Sequence, residues 1–416
     1  MKYLSCILLV LFTFQIQAQE QISLDTCYQL VTQNYPLVKQ TELLEAQNKL
    51  ESAVISTSKL PKIDLDAYAT YQSEVIEFPV AMSGVEPLNK DQYRATVTVN
   101  QLIYNGGATT AALDLKSAQL KTKQKQIEVQ LYQPKLQINQ LYFSILLAQE
   151  SDALLKAKHT LLEAKLKEIQ SGIKNGSVLP SSDNVLEAEL LKVDQQSKAV
   201  NSNKKTLIET LSTLITFPLD PSIVFETPIV VHDIQHQISR PELDVFQLKK
   251  DEIENSENLI SKQNAPKLLG FATGGYGNPG LNILDNSFQP FYTVGLKLNW
   301  NVFDWNANKK QRESLSITKD IIENETEIFK LNTNIELNKQ QDEINKIEDF
   351  ISSDKQIVIL RETVLQTAAS QLQNGVITAS AYLIELTNLY EDEQTLAAHK
   401  IQLELAKANY NIIKGQ

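Results

Sequence analysis

A few stretches of this 416-residue chain combine residue types that do chemistry when suitably placed. Asn105-Gly106-Gly107 stands between a strand-like run and a long helical pattern. Strand, glycines, helix is the order in which backbone N–H groups gather around a phosphate. Gly274-Gly275-Tyr276-Gly277-Asn278-Pro279-Gly280 also follows a strand-like run, but no helical pattern starts for about twenty residues beyond it, so it reads as an external loop. His232 and His236 are four apart, a spacing that holds a metal on a helix. Their segment is proline-flanked and extended, with no cysteine or third histidine nearby, and no metal is expected there. His159 falls on an apolar helical seam and His399 on a polar helical stretch. The carboxylates are spread at helical intervals, as on solvated faces. Neither a G-x-x-x-x-G-K-[ST] loop nor a G-x-S-x-G elbow occurs. The expectation is no catalytic constellation, no enzyme activity and no cofactor.

The elements that would have to position such residues belong to an exported chain. Lys2, the apolar run Ile7–Phe14 and the small-residue site ending at Ala18 form a secretory signal over residues 1–18. Cys6 lies within it, which leaves Cys27 as the one cysteine of the mature chain and rules out an internal disulfide. The net charge of −11 argues against nucleic acid as a partner. No apolar run after the signal is long enough for a membrane helix, which leaves a β-barrel as the only route into a bilayer.

The chain reads as a tandem repeat. Pro36 and Pro241 stand 205 residues apart, as do Pro61 and Pro266, whereas Tyr104-Asn105 and Phe303-Asp304, like Asn175-Gly176 and Asn374-Gly375, stand 199 apart. Six residues are therefore lost between Pro61 and Tyr104, where a hairpin loop is expected. The first repeat covers 19–216, with a helix over about 23–59, strands about 62–76 and 92–104, and a helical hairpin over 106–216. A proline-rich linker with one short strand follows at 217–240. The second repeat covers 241–416, with a helix over about 241–264, strands about 267–277 and 289–303, and a helical hairpin over 305–414.

The strands alternate with period two: Tyr292, Val294, Leu296, Leu298, Trp300 and Val302 oppose Thr293, Gly295, Lys297, Asn299 and Asn301. Aromatic residues near both ends of the apolar side suit a membrane barrel. The same alternation suits a soluble sheet with one wet face, and the signal peptide and long helices favour the barrel. Four strands cannot close alone, but three copies would bring twelve. From Leu113 to Ile173 a 4-3 spacing runs without a slip through Leu113, Ser117, Leu120, Gln124, Ile127, Leu131, Pro134, Ile138, Leu141, Ile145, Ala148, Asp152, Leu155, His159, Leu162, Leu166, Ile169 and Ile173, a coiled-coil seam. A looser one follows Ile321, Ile328, Ile335, Ile344, Ile347, Ile351, Val358, Leu365 and Leu372. Pro134 has no counterpart in the second copy and should kink the first long helix.

These residues, in this doubled order, resemble the TolC family of outer-membrane efflux proteins over essentially the whole mature chain. The resemblance rests on V-N-Q-L-I-Y-N-G-G at 99–107 and L-N-W-N-V-F-D-W-N at 298–306, on the N-P/R-P helix openings and L-P/A-P helix endings, and on the turns N-G-S-V-L-P-S-S-D at 175–183 and N-G-V-I-T-A-S at 374–380. It implies a mostly α protein with a membrane β-barrel part: a homotrimer whose 12-stranded barrel lies in outer-membrane lipid and continues into a periplasmic α-helical barrel. It implies a passive export duct of a tripartite efflux or type I secretion system, docking on a periplasmic adaptor protein and an inner-membrane transporter. Adaptor docking and the pore tip would then fall on Asn175, Gly176, Ser177, Asp183, Asn374, Gly375, Thr378 and Glu385. The family turn continues D-V-L, whereas here the copies read Asp183-Asn184-Val185-Leu186 and Ala381-Tyr382-Leu383-Ile384, so Asp183, Glu187 and Glu385 are the nearest carboxylates for an acidic ring. The competing reading is a soluble periplasmic coiled-coil adaptor without a membrane barrel. The repeat also answers the glycine question: the counterpart of Asn105-Gly106-Gly107 is Asp304-Trp305-Asn306, without glycine, so the turn should redirect the chain and hold no ligand.

Overall fold

The computed structural model describes residues 21–76, 86–176, 178–232 and 237–415. The expected signal peptide, part of the expected hairpin loop after Pro61, and His236 lie outside the described residues. So does Ser177.

The elements run β1 (Gln21–Ile22), α1 (Leu24–Asn34), α2 (Lys39–Ser56), β2 (Lys62–Tyr71), β3 (Asp91–Tyr104), α3 (Ala108–Gln130), α4 (Tyr132–Lys174), α5 (Ser182–Leu214), β4 (Val224–Phe225), α6 (Pro241–Gln263), β5 (Lys267–Asn278), β6 (Gln289–Asn299), α7 (Ala307–Gln373) and α8 (Ala379–Lys414). Short 3-10 turns at Pro36–Val38 and Thr57–Lys59 flank α2. They form two compact units, one of residues 39–129 and 241–329, the other of residues 21–38, 130–240 and 330–415. Among the described residues no helix is long and apolar enough to cross a membrane.

The first unit holds an antiparallel sheet in the order β2-β3-β5-β6. Register explains where its strands stop. β6 ends at Asn299 because its partner β5 begins opposite, at Lys267, just after Pro266, which has no N–H to donate. β2 ends at Tyr71 because β3 begins opposite it at Asp91. Both strands are therefore shorter than their alternation alone indicates. In the same unit α2 packs on α3 through Lys116–Glu51 at 2.8 Å, and α6 on α7 through Lys319–Glu257 at 3.0 Å and a Phe246–Phe329 ring contact.

The second unit is helical. Ser23 caps α1 by accepting from the Thr26 N–H, and Leu24, Cys27 and Val31 bury one stripe of that helix. They join Ile138, Tyr142, Phe143, Ile145 and Leu146 of α4, Ile208 and Leu211 of α5, and Ile401 and Ala408 of α8 in one core. The 217–240 segment is more than a linker. Its Val224–Phe225 pairs in parallel with Gln21–Ile22, and Ile223 and Phe225 enter that core. The Tyr142 hydroxyl donates to the carbonyl oxygens of both Ile22 and Glu226, tying the pair to α4. Burial pushes the Cys27 thiol up to about 12, consistent with an inert packed side chain.

The helical seams hold in part. Ile127, Leu131, Pro134, Ile138, Ile145, Ala148, Asp152, Leu155, Leu162 and Ile169 are buried as the 4-3 spacing predicts, whereas Leu141, His159, Leu166 and Ile173 on the same seam are only half-buried. In α3 the buried line slips to Ala111, Ala118 and Thr122, small residues that let backbones approach. In the first half of α7 the expected seam is wrong. Ile321, Ile328 and Ile335 are each at least half exposed, and the buried line runs through Ile322, Thr326, Thr333 and Leu337 instead. Threonine hydroxyls can bond the preceding turn, as Thr326 does to the Ile322 carbonyl at 2.8 Å, so they pack without an orphaned polar atom. Pro134 does divide its helix: α3 ends at Gln130 and α4 restarts at Tyr132, which places the proline in a first turn where its missing N–H leaves no bond unmade. α7 has no proline and runs unbroken for 67 residues.

Candidate functional site

The first feature that can act is the sheet. Its register sorts side chains by polarity across all four strands. One face carries Ile63, Leu65, Ala67 and Tyr71 of β2, Tyr93, Ala95, Val97 and Val99 of β3, Ala272 and Tyr276 of β5, and Tyr292, Val294, Leu296 and Leu298 of β6. This apolar face is open: Leu65 is 75 % exposed and Tyr292 79 %. Desolvating such a surface is worth roughly 25 cal/mol per Å², which makes it unsuited to water. The opposite face carries Asp64, Asp66, Arg94, Thr96, Thr98, Thr273, Thr293 and Lys297, with Thr98 and Thr273 hydroxyls 3.1 Å apart. Tyr68, Leu102, Leu269, Phe271 and Phe291 interrupt it, and the two phenylalanines are each paired across the strands with a glycine, Phe271 with Gly295 and Phe291 with Gly275. A Cβ on either glycine would stand under 3 Å from the facing ring, so the rings lie flat in the notches that glycine leaves.

The strand-to-helix junctions share one backbone solution. Gly106 and Gly107 have φ of +65° and +84°, while Trp305 and Asn306 have +54° and +61°. Asn105 donates to the Thr109 hydroxyl at 2.6 Å, and Asp304 accepts the Asn308 N–H at 3.0 Å and the Asn264 amide. Those donors hold the Asp304 carboxyl below the usual carboxylate range. Each turn is closed by one backbone bond, Ala108 donating to the Asn105 carbonyl at 3.2 Å and Ala307 to that of Asp304 at 3.0 Å.

The second feature is the pair of turns at the far ends of the helical hairpins. Asn175 caps α4, Gly176 has φ +72°, and its N–H bonds the Ile173 carbonyl. Gly375 has φ +69°, its N–H reaches the Leu372 carbonyl at 3.0 Å and that of Val376 the Gln371 carbonyl at 2.8 Å, the paired closure that a glycine past a helix end permits. Asn374 donates its amide to the Ser370 carbonyl. Thr378 caps α8, its hydroxyl accepting the Ala381 N–H at 3.2 Å. Asp183 sits in the first turn of α5 and accepts the Asn184 N–H at 3.0 Å.

The structure brings the two turns onto one core of Leu162 and Ile169 from α4, Leu186 from α5, Ala368 and Leu372 from α7, and Ala379, Tyr382 and Leu386 from α8. Glu385 is not a free carboxylate. It lies 3.7 Å from Arg361 of α7, whose Nε donates to Asp392 at 2.9 Å. One ion pair here was invisible to spacing: Lys158 of α4, 4 % exposed, meets Glu189 of α5 at 2.9 Å, with its ammonium 4.8 Å from the Tyr390 ring. Burial would raise the Glu189 carboxyl, but the Lys158 bond and charge outweigh it and hold the group below its usual range.

The other described histidines are paired or packed. His159 sits 3.3 Å from Asp194, His399 sits 2.6 Å from Asp354 beside the Phe350 ring, and the His232 ring packs on Tyr410. No group of metal-holding side chains forms among the described residues.

No protein-family model matches the chain, and no curated protein matches it. Its fold does have close counterparts among solved structures. The outer membrane protein VceC of Vibrio cholerae is 14% identical, with a TM-score of 0.64 over 94% of this chain and 96% of that one. The Neisseria gonorrhoeae MtrE outer membrane channel is 12% identical, with a TM-score of 0.65 over 94% and 89%. The Campylobacter jejuni CmeC outer membrane channel is 14% identical, with a TM-score of 0.62 over 94% and 85%. The fold of this chain is that of the TolC-family outer-membrane channels.

Proposed function

We propose that this chain is one subunit of an outer-membrane export duct, a passive conduit and not an enzyme. The observation that carries the reading is the sheet. Its apolar face is exposed from β2 to β6, and its two outermost strands, ten and eleven residues long, are edge strands. Long flat edges and an uncovered apolar face are unstable in water and are removed together by closing a barrel in lipid. Three copies, each giving four strands, would close it at twelve. The exposed isoleucines of α7, Ile321, Ile328 and Ile335, support the same reading, since a neighbouring copy would cover them.

On this proposal the chain is a duplicated unit, 19–216 and 241–416, joined by 217–240 and preceded by a leader at 1–18. The periplasmic adaptor docks on the turns carrying Asn175, Gly176, Ser177, Asp183, Asn374, Gly375, Thr378 and Glu385, and passes cargo from an inner-membrane transporter. The open groove beside the second turn, about 380 Å³ between Thr363, Thr367, Gln371, Ile377, Ala381 and Glu385, supports that placement.

Membrane fractionation tests the reading. The protein should stay with outer membranes through salt and alkali washes, need detergent for release, and sediment as a trimer. Recovery as a soluble monomer from periplasmic extract would defeat it and favour the soluble adaptor.

A further inference from the structure

The sheet's charges gather on one face. Seven charged side chains lie on the four strands, and only Asp91 stands on the apolar face. The polar face carries Lys62, Arg94, Lys267 and Lys297 against Asp64 and Asp66, a surplus of two positive charges in a chain whose net charge is −11. Lys62 follows the turn after α2, Lys267 follows α6 and Lys297 precedes α7, so the three lysines share the helix-proximal end of the face.

Their surroundings differ from those of the helical lysines in the same unit. Lys116, Lys250 and Lys319 each meet a glutamate on a neighbouring helix. Among the described residues Lys62, Lys267 and Lys297 are exposed and form no salt bridge. Asp64 is the nearest carboxylate along β2, two residues from Lys62, and accepts the Asn100 amide at 3.4 Å. Arg94 spends its donors on the carbonyl oxygens of Pro279 and Gly280, 3.3 and 3.2 Å away, and its guanidinium lies 5.2 Å from the Phe291 ring and 5.9 Å from that of Tyr68. Neither arrangement neutralises its charge.

We infer that the polar face is a selector for anionic solutes, with Lys62, Lys267 and Lys297 as a basic collar at its helix-proximal end. This rests on the duct reading, in which the polar face lines the passage and three copies triple the collar. Clefts lined by one sign of charge concentrate counter-ions of the other. Inorganic anions and solutes bearing phosphate or carboxylate groups would be enriched there and cations depleted.

The full-length protein in planar bilayers provides the test. Under a potassium chloride gradient the reversal potential should report chloride permeating better than potassium. The triple variant Lys62→Gln, Lys267→Gln, Lys297→Gln should lower the chloride-to-potassium ratio about threefold near 0.1 M salt, where the screening length is about 10 Å, and by less near 1 M, where it is about 3 Å. Inositol hexakisphosphate added on the barrel side of conducting channels should block the wild type at several-fold lower concentration than the variant. A conducting wild type that prefers potassium, or a variant with unchanged selectivity and block, overturns the collar and leaves the duct standing. A chain that never inserts and stays in the aqueous phase overturns the duct, and the collar with it.

Discussion

Gly106 and Ala265 approach so closely that a Cβ on the glycine would stand 2.1 Å from the Cβ of the alanine. Gly106 is also at φ +65°, so its lack of a side chain serves both conformation and contact. Gly107, at φ +84°, has nothing within 4 Å of its would-be Cβ. Gly106→Val should therefore cost about 3 kcal/mol, from overpacking added to left-handed strain. Gly107→Ala should cost only the strain, roughly 1 kcal/mol. Thermal unfolding in detergent, compared between the two variants, checks the ranking; equal losses would show that the contact does not matter.

Leu296 and Thr293 stand on opposite faces of β6. Leu296→Arg should reduce the fraction recovered in outer membranes, since arginine on a lipid face near the midplane costs about 2–4 kcal/mol. Thr293→Arg, on the polar face, should leave that fraction close to wild type. Equal recovery of the two variants would contradict the assignment of faces.

The Lys158–Glu189 pair should make the helical hairpin acid-sensitive. The folded-state carboxyl is held below its unfolded value, so the folded form binds fewer protons than the unfolded one. The stabilisation is complete above the unfolded value of about 4.3 and is lost as pH falls toward the lower folded value. Glu189→Gln should flatten that acid limb in a pH series of urea unfolding. Lys158→Ala, which leaves the half-buried carboxylate only Lys192 at 3.5 Å, should lower stability at neutral pH by on the order of 2 kcal/mol.

Thr378 caps α8 with its hydroxyl on the Ala381 N–H. Thr378→Ala should cost about 1 kcal/mol locally, seen as faster amide exchange over residues 379–382 with little change elsewhere. Thr378→Ser should restore protection. A photo-crosslinker at position 374 should capture a periplasmic partner in native membranes, and capture only of other copies of this chain would count against the docking role of the turn.

Much of this was legible in the chain itself. The period-two alternation of 291–302, the paired prolines at 61 and 266 and the paired Asn-Gly turns located strands, helix ends and reversals close to where they lie. Residues held in place by partners distant in sequence were not. The ends of β2 and β6 depend on where Asp91 and Lys267 begin their partners, and no local pattern encodes that. The buried line of α7 passes through Thr326 and Thr333 while Ile328 and Ile335 face outward, a choice made by neighbouring surfaces. The Lys158–Glu189 pair joins two helices through residues 31 apart, with no motif to mark it. The left-handed pair Trp305-Asn306 hides a bend that glycine announces at Gly106-Gly107, because asparagine tolerates that region and tryptophan is forced into it.

The flat rings of Phe271 and Phe291 give the polar face an unusual sensitivity. Each lies in a notch one methyl group deep, so the height of the wall there is the thickness of a ring and not its length. Filling either notch, by alanine at position 275 or 295, would tip the ring upright. A single added carbon on the wall would then act as a baffle several ångströms tall, and the clearance over the sheet would be governed by two of the smallest residues on it.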